Sequence, residues 1–327
     1  MITTRLKEFI PGVALCFFIG FIAIFLGSYY DAPQMLFALL LGMALSFLSK
    51  TLTYQPGIEI SSKSILRIGV ALLGFRITFE DIATLSYDIL FWISGGIVLS
   101  LSAGLLLARA FGSTRAFGII SGGSVGICGA SAALAISSVF PNNRETEKAT
   151  IVTVVTVTTL STVAMILYPI IATHLGFNDL ESGIFLGGTI HDVAQVVGAG
   201  YGMNSNTGDT ATIIKLFRVA LLVPVVMLIA FIISKQSDRS KSKLTIPYFL
   251  IAFCCIVLIN SFGFIPQEIN KLANITASTF LITAIAALGV KTSLQDIARY
   301  GIRSVSLIIV ETVLLATWVI CGIYWIT

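Results

Sequence analysis

Charge is scarce in this sequence. Only 11% of its 327 residues are Asp, Glu, Lys or Arg, 56% are hydrophobic, and the mean hydropathy is +0.97. A chain so poor in charge cannot clothe a soluble globule, so a water-soluble enzyme or carrier is excluded and a polytopic membrane protein is expected. The formal net charge is only +4, and the basic residues sit in short stretches between apolar runs, which excludes a nucleic-acid footprint. Histidine is scarcer still: His174 and His191 are not spaced as a metal pair, and His-Glu-x-x-His does not occur. None of the five cysteines (Cys16, Cys128, Cys254, Cys255, Cys321) has metal-site spacing with a histidine, and all lie in apolar runs. No metal and no cofactor are expected, and the cysteines read as free thiols buried in a helix bundle. An enzyme finds little support. A hydrolase built on Ser124, Asp192 and His191 is formally open, with nothing in the sequence to bring the three together.

What the chain has in abundance is long apolar runs. Windows able to cross about 30 Å of hydrocarbon occur near 10–28, 33–49, 64–78, 88–110, 114–139, 148–173, 182–202, 211–234, 245–263, 272–290 and 303–326, about eleven segments. The fold class expected is all-α and polytopic, one integral membrane transport domain over 1–327. Met1 to Lys7 followed by an apolar run resembles a leader, but no small-x-small cleavage site precedes Tyr29-Tyr30-Asp31, so a retained first span is expected. With the N-terminus in the cytoplasm and the C-terminus outside, the inner loops collect most of the Lys and Arg: Arg5, Lys7, Lys50, Lys63, Arg67, Arg109, Arg115, Lys235, Arg239, Lys241, Lys243, Lys291, Arg299 and Arg303. The polar stretch 235–243 reads as a cytoplasmic linker. Asn142 to Lys148 reads as a helix start, with Glu145 and Glu147 in an acidic first turn.

Two segments interrupt the apolar pattern. Ser121-Gly-Gly-Ser-Val-Gly-Ile-Cys-Gly-Ala-Ser131 gathers Gly122, Gly123, Gly126 and Gly129 with Ser121, Ser124, Cys128 and Ser131. Such a run weakens a continuous helix and keeps hydroxyls where lipid offers no hydrogen bonds, so a broken helix at the membrane centre is expected, holding cargo. Glycines at four-residue spacing serve equally in close helix packing. The second segment, Gly187-Gly-Thr-Ile-His-Asp-Val-Ala-Gln-Val-Val-Gly-Ala-Gly200, adds His191, Asp192 and Gln195. In a helix His191 and Gln195 share a face, with Asp192 about 100° away. Ionisable groups in a span are costly and mark function, so these are expected to couple transport to an ion, unless the window lies at the interface.

Searching the chain against itself gives one repeat: Leu73-Gly-Phe-Arg-Ile-Thr-Phe-Glu-Asp-Ile-Ala83 matches Leu288-Gly-Val-Lys-Thr-Ser-Leu-Gln-Asp-Ile-Ala298. An odd number of spans separates the copies, so repeat-related segments near 64–139 and 272–326 are expected to be inverted, the symmetry behind alternating access. Glu311 sits in the last apolar run as a proton carrier or a glue residue, protonated or paired with a distant partner. Lys215 and Arg218, three apart, are expected to snorkel to the interface, or to attract an anion if that end folds over a central cavity.

These motifs resemble one family. Ser121 to Ala133, Gly188 to Ala199 and Leu73-Gly-Phe-Arg76 look like the YeiH family of bacterial membrane proteins, labelled sulfate exporters, over nearly the whole chain. That family is similar to the group containing the bile acid/sodium symporters and the cation/proton antiporters. The resemblance implies two inverted repeats, each with an unwound helix, the two crossing near Gly122–Ser131. The function expected is secondary transport of a small anion coupled to a proton or sodium ion, in the bacterial plasma membrane. The partners are then the anion, the coupling ion and the lipid bilayer, with a homodimer left open. A passive channel, or cation/proton exchange without an anionic cargo, are the alternatives. Hydroxyls and helix ends suit sulfate, sulfite, carboxylates and halides alike.

Overall fold

The computed structural model describes residues 2–30, 33–83, 85–141, 143–234, 248–263, 265–291 and 302–326. The expected linker 235–243 and the second repeat copy beyond Lys291 lie outside them. In chain order the helices are α1 (Ile2–Tyr30), α2 (Gln34–Ala44), α3 (Gln55–Ile60), α4 (Leu66–Leu72), α5 (Phe79–Ala83), α6 (Tyr87–Ala110), α7 (Arg115–Gly126) and α8 (Ala130–Ser137). They continue as α9 (Arg144–His174), α10 (Asp179–Thr189), α11 (Val193–Met203), α12 (Ser205–Ala220), α13 (Leu222–Ser234), α14 (Tyr248–Ser261), α15 (Gln267–Lys291) and α16 (Ile302–Ile326). No strand occurs among the described residues.

Among the described residues six helical stretches are long and apolar enough to cross a membrane: Glu8–Tyr30, Tyr87–Ala110, Arg144–His174, Ser205–Ile233 (α12 with α13), Gln267–Lys291 and Arg303–Ile326. The chain is therefore a multi-pass membrane protein, and these six stretches do not confirm the expected count of about eleven segments. The windows 114–139 and 182–202 each split into two half-helices, and Gln34–Ala44 and Tyr248–Ser261 are short. The 64–78 window begins early, because the helix starts at Gln55 and continues through a π-turn at Ser61–Ile65 into α4. Glu59 and Lys63 hid this start by breaking the apolar pattern, and the structure pairs Glu59 with both Lys63 and Lys291. The break between α12 and α13 precedes Pro224, which has no N–H to donate to the preceding turn. Asn143 caps α9, accepting from Thr146 N–H at 2.9 Å, with Glu145 and Glu147 in the first turn as expected.

Contacts divide the chain into two compact units. The first comprises Met1–Thr84, Val197–Asp209 and Pro247–Ser293. Within it, α1 and α3 touch through glycine: a Cβ at Gly12 would lie 2.8 Å from the Gly57 Cα. Helices α2 and α15 do the same, a Cβ on Gly42 or Gly289 lying 3.0 Å from the other's Cα. Such small-residue contacts let membrane helices gain dispersion energy where lipid removes any hydrophobic drive.

The second unit comprises Leu85–Val196, Thr210–Ile246 and Leu294–Thr327. Here α7 lies on α6 through Gly118, Gly122 and Gly126, which face Gly104, Ser100 and Ile97. Helix α16 is pinned to α6 by Trp92 and Trp318, stacked at 4.3 Å, each donating its indole N–H to the other's backbone carbonyl at 2.9 and 3.0 Å. This fixes the register of α16, and so the heights of Glu311 and Thr312. Of the cysteines, Cys16 and Cys128 are buried as expected, whereas Cys254, Cys255 and Cys321 are exposed, because their helix faces turn outward.

Candidate functional site

The site begins at the two breaks. Helix α7 ends at Gly126, and Gly129, at φ +60°, turns the chain into α8. A side chain strains there, so this glycine makes the break, while Gly118, Gly122 and Gly126 make the packing face. The run thus breaks the helix at Gly129 and packs it at Gly122 and Gly126. Helix α10 ends at Thr189; Ile190 is extended (ψ 136°), and α11 starts at Val193. The expected common face of His191 and Gln195 is corrected by this: His191 and Asp192 lie in the break and only Gln195 is helical. The two breaks meet, since a Cβ at Gly129 would lie 3.4 Å from His191 Cβ.

Each break strands the carbonyls that end its first half-helix, a negative helix end in an apolar setting. Lys215 and Arg218 on α12 answer both. Lys215 Nζ donates to the carbonyls of Ile127 (2.7 Å), Ile190 (2.9 Å) and His191 (2.6 Å). Arg218 donates through Nε to Gly126 (2.9 Å), through Nη1 to Gly187 (2.9 Å) and Ile190 (3.2 Å), and through Nη2 to Val125 (2.8 Å). Lys215 is 0% and Arg218 1% exposed, so the expected snorkelling is overturned: the breaks need donors that no side chain nearer in sequence supplies. Nor do the two cations offer free charge to an anion, since the ammonium gives three bonds and the guanidinium four, all to backbone. Cys128 and Asp192 lie within electrostatic reach of Lys215.

The remaining candidates fall around this contact between the breaks. Ser121 Oγ donates to Glu311 Oε1 at 2.8 Å, and Glu311 is fully buried with Oε2 unpaired, so Ser121 is the distant partner expected for this carboxyl. Ser124 Oγ donates to Ile120 O (2.6 Å) and Ser131 Oγ to Cys128 O (3.0 Å) and Sγ (2.8 Å), so these hydroxyls are spent within their own segments. Gly123 abuts Ile136 of α8. Thr312 gives its hydroxyl proton to Ile308 O (2.8 Å), which makes His191 Nε2–H the donor toward Thr312 Oγ1 (3.0 Å). Adjacent residues of α16 thereby engage both broken segments. Asp192 N–H donates to Ser161 Oγ (3.0 Å) of α9, a helix that packs against α7, α8 and α10. Gln195 is 1% exposed, and among the described residues neither amide atom has a hydrogen-bond partner; nor do His191 Nδ1 and the buried hydroxyls of Thr153 and Thr156 on α9.

Gly122, Ser124 and Gly126 do match Gly-x-Ser-x-Gly as letters. That elbow needs the serine on a strand-to-helix turn, whereas Ser124 lies inside α7 and no hydrogen bond joins it to His191. Among the described residues no cluster of three or more His, Cys, Asp or Glu is placed to hold a metal.

Comparison with known proteins adds the family. The model for conserved hypothetical protein 698 matches residues 11–308. The chain belongs to that family. It is 46% identical to a UPF0324 membrane protein of Chlorobaculum tepidum, covering 99% of this chain and 91% of that one. It is 44% identical to the UPF0324 membrane protein TauZ of Paracoccus pantotrophus (99% and 98% covered). Against the UPF0324 inner membrane protein YeiH of Escherichia coli K12 the identity is 35% (97% and 93% covered), which bears out the resemblance to YeiH. None of these names states a cargo. No solved structure matches this member of the family.

Proposed function

We propose that this chain is a secondary active transporter of a small anion, driven by a proton or sodium ion through alternating access in the bacterial plasma membrane. One observation carries the reading: the breaks of two helices touch at a point where buried polar atoms lack partners among the described residues. The first turns of α8 and α11 leave backbone N–H groups without helical acceptors, at the positive ends of their dipoles. Gln195 stands in the first turn of α11 with its amide unpaired, and Thr153 and Thr156 add unpaired hydroxyls from the neighbouring α9. An unpaired buried amide or hydroxyl costs about 1–3 kcal/mol, which a bound anion and its waters would offset. The carbonyl ends, which would repel an anion, are already neutralised by Lys215 and Arg218.

Glu311 and His191 supply the coupling in this reading. A buried carboxyl with one hydroxyl donor and no cation beside it among the described residues is costly to ionise, so in this reading it releases its proton only when a transported charge compensates, and Ser121 ties that exchange to α7. The test is solid-supported membrane electrophysiology on proteoliposomes, with sulfate, acetate and chloride pulses at several pH values. Gln195→Ala should weaken the apparent affinity by about tenfold, as loss of a buried hydrogen bond of about 1.4 kcal/mol implies. Glu311→Gln should flatten the pH dependence. Currents indifferent to both substitutions, or single-channel openings in a planar bilayer, would remove the proposal in favour of a pore.

A further inference from the structure

The first unit carries a second polar feature that the contact between the breaks does not use. A cavity of about 310 Å³, roughly ten water volumes, is bounded by the start of α2, the end of the α4 helix, the α11–α12 junction and α15. Its polar wall is Gln34, Arg76, Tyr201, Ser205 and Ser278; Met35, Leu73 and Leu281 form the apolar wall. Arg76 is the basic residue of the internal repeat, matched in the second copy by Lys291.

The two copies use that charge differently. Lys291 donates to Glu59 Oε2 at 2.7 Å and to Ser62 Oγ at 3.3 Å, away from the cavity wall. Arg76 gives only its Nε to Asp209, at 3.0 Å to Oδ1 and 3.2 Å to Oδ2. Tyr201 O–H donates to the same carboxylate at 2.5 Å, and the Tyr201 ring lies 5.0 Å from Arg76 Cζ. The guanidinium is thus clamped from one side and oriented by the ring, while both Nη groups have no protein hydrogen-bond partner among the described residues. A structural staple would spend the Nη pair on the carboxylate in a two-point fork; here that fork is left open.

Two helix starts border the same space. Helix α2 begins at Gln34, and among the described residues no side chain caps its first-turn N–H groups; α12 begins at Ser205, where Asn204 Oδ1 already accepts from Thr207 N–H at 2.9 Å. An open guanidinium fork, uncapped N–H groups and three short polar side chains all select an oxyanion. The volume exceeds what an inorganic head group fills, and the apolar wall stands opposite the polar one.

We propose that this cavity binds a small organic monoanion, with the oxyanion head on the Arg76 Nη groups and the α2 start, and the short apolar body on Met35, Leu73 and Leu281. The site stands within the first unit and is independent of the transport reading.

The test titrates the full chain in nanodiscs with butyrate by calorimetry and by thermal shift, with 1-butanol as the uncharged body and sulfate as the bare head. Butyrate should bind saturably, 1-butanol should not bind, and sulfate should bind more weakly than butyrate. Arg76→Gln should weaken butyrate at least about tenfold, while Lys291→Gln, which removes the matching charge outside the cavity, should leave it unchanged. Leu281→Trp, which fills the apolar wall, should also abolish binding, and it decides the matter if the Arg76 variant does not fold. Gln195→Ala separates this site from the contact between the breaks: butyrate binding should survive it. Equal binding of 1-butanol, butyrate binding that survives Arg76→Gln or Leu281→Trp, or binding lost in Gln195→Ala would overturn the assignment.

Discussion

Replacing Lys215 by Met tests whether α12 holds both breaks together. The side chain is nearly isosteric, so what is lost is donation, not volume. Ile127 and His191 carbonyls lose the ammonium, while Ile190 keeps Arg218 Nη1 at 3.2 Å. Two buried carbonyls left unpaired cost about 2–6 kcal/mol, before the return of the ammonium's own desolvation energy. Arg218→Met strands three, at Val125, Gly126 and Gly187, and should cost more. In the double variant Ile190 loses its last donor, and the relief of repulsion between the two cations, counted in each single variant, is gained once only. The double cost should therefore exceed the sum of the single costs by about 1–3 kcal/mol. Hydrogen exchange read by mass spectrometry on peptides covering 125–133 and 187–196 is the direct assay. A loss of 2 kcal/mol in local opening free energy speeds exchange about 30-fold, at both breaks together. Faster exchange at one break alone, unchanged exchange at both, or a double variant no worse than the sum would refute the reasoning.

Gly129→Ala should destabilise the chain by about 1–2 kcal/mol, because φ +60° is hostile to an L side chain although the space at 3.4 Å admits a methyl; thermal unfolding in nanodiscs measures it. Trp318→Phe removes the indole donor from the Trp92 carbonyl, which keeps its own bond within α6, so a loss of about 1 kcal/mol is expected, with faster exchange along α16 as the readout. Lys291→Ala should cost under about 1 kcal/mol, since Glu59 and Lys291 are both substantially exposed and Glu59 keeps Lys63; the same unfolding assay checks it.

How legible the sequence was depends on where each signal resides. Helix starts with local chemistry, such as Asn143 with its acidic first turn, are written in adjacent residues and were readable. The breaks were half readable: Gly129 advertises its turn, but the extended Ile190 carries no glycine or proline, so His191 and Gln195 looked like one helix face. The start at Gln55 was concealed because Glu59 and Lys63 neutralise each other, and the residue that also pairs with Glu59, Lys291, lies 232 positions away. Lys215 and Arg218 were misassigned for a deeper reason. Their partners are carbonyls 24 to 93 positions away, and a carbonyl leaves no trace in residue identity. The one available signal was two cations on one face of an apolar helix with no acid nearby.

Because Lys215 and Arg218 grip backbone and not side chains, the two breaks obey unusual rules of change. Val125, Ile190 and His191 are held by atoms that every amino acid possesses, so exchanging their side chains leaves those hydrogen bonds themselves in place, whereas Gly187 must stay small because a Cβ there would lie 2.5 Å from Ala211 O on α12. Adding or deleting a single residue between α7 and α8, or between α10 and α11, shifts the carbonyls of Ile127, or of Ile190 and His191, out of register with Lys215 while the helix ends before the breaks stay in place. Away from its glycines, this region of the chain is thus ruled by length before composition: its variants are expected to differ more in letters than in spacing.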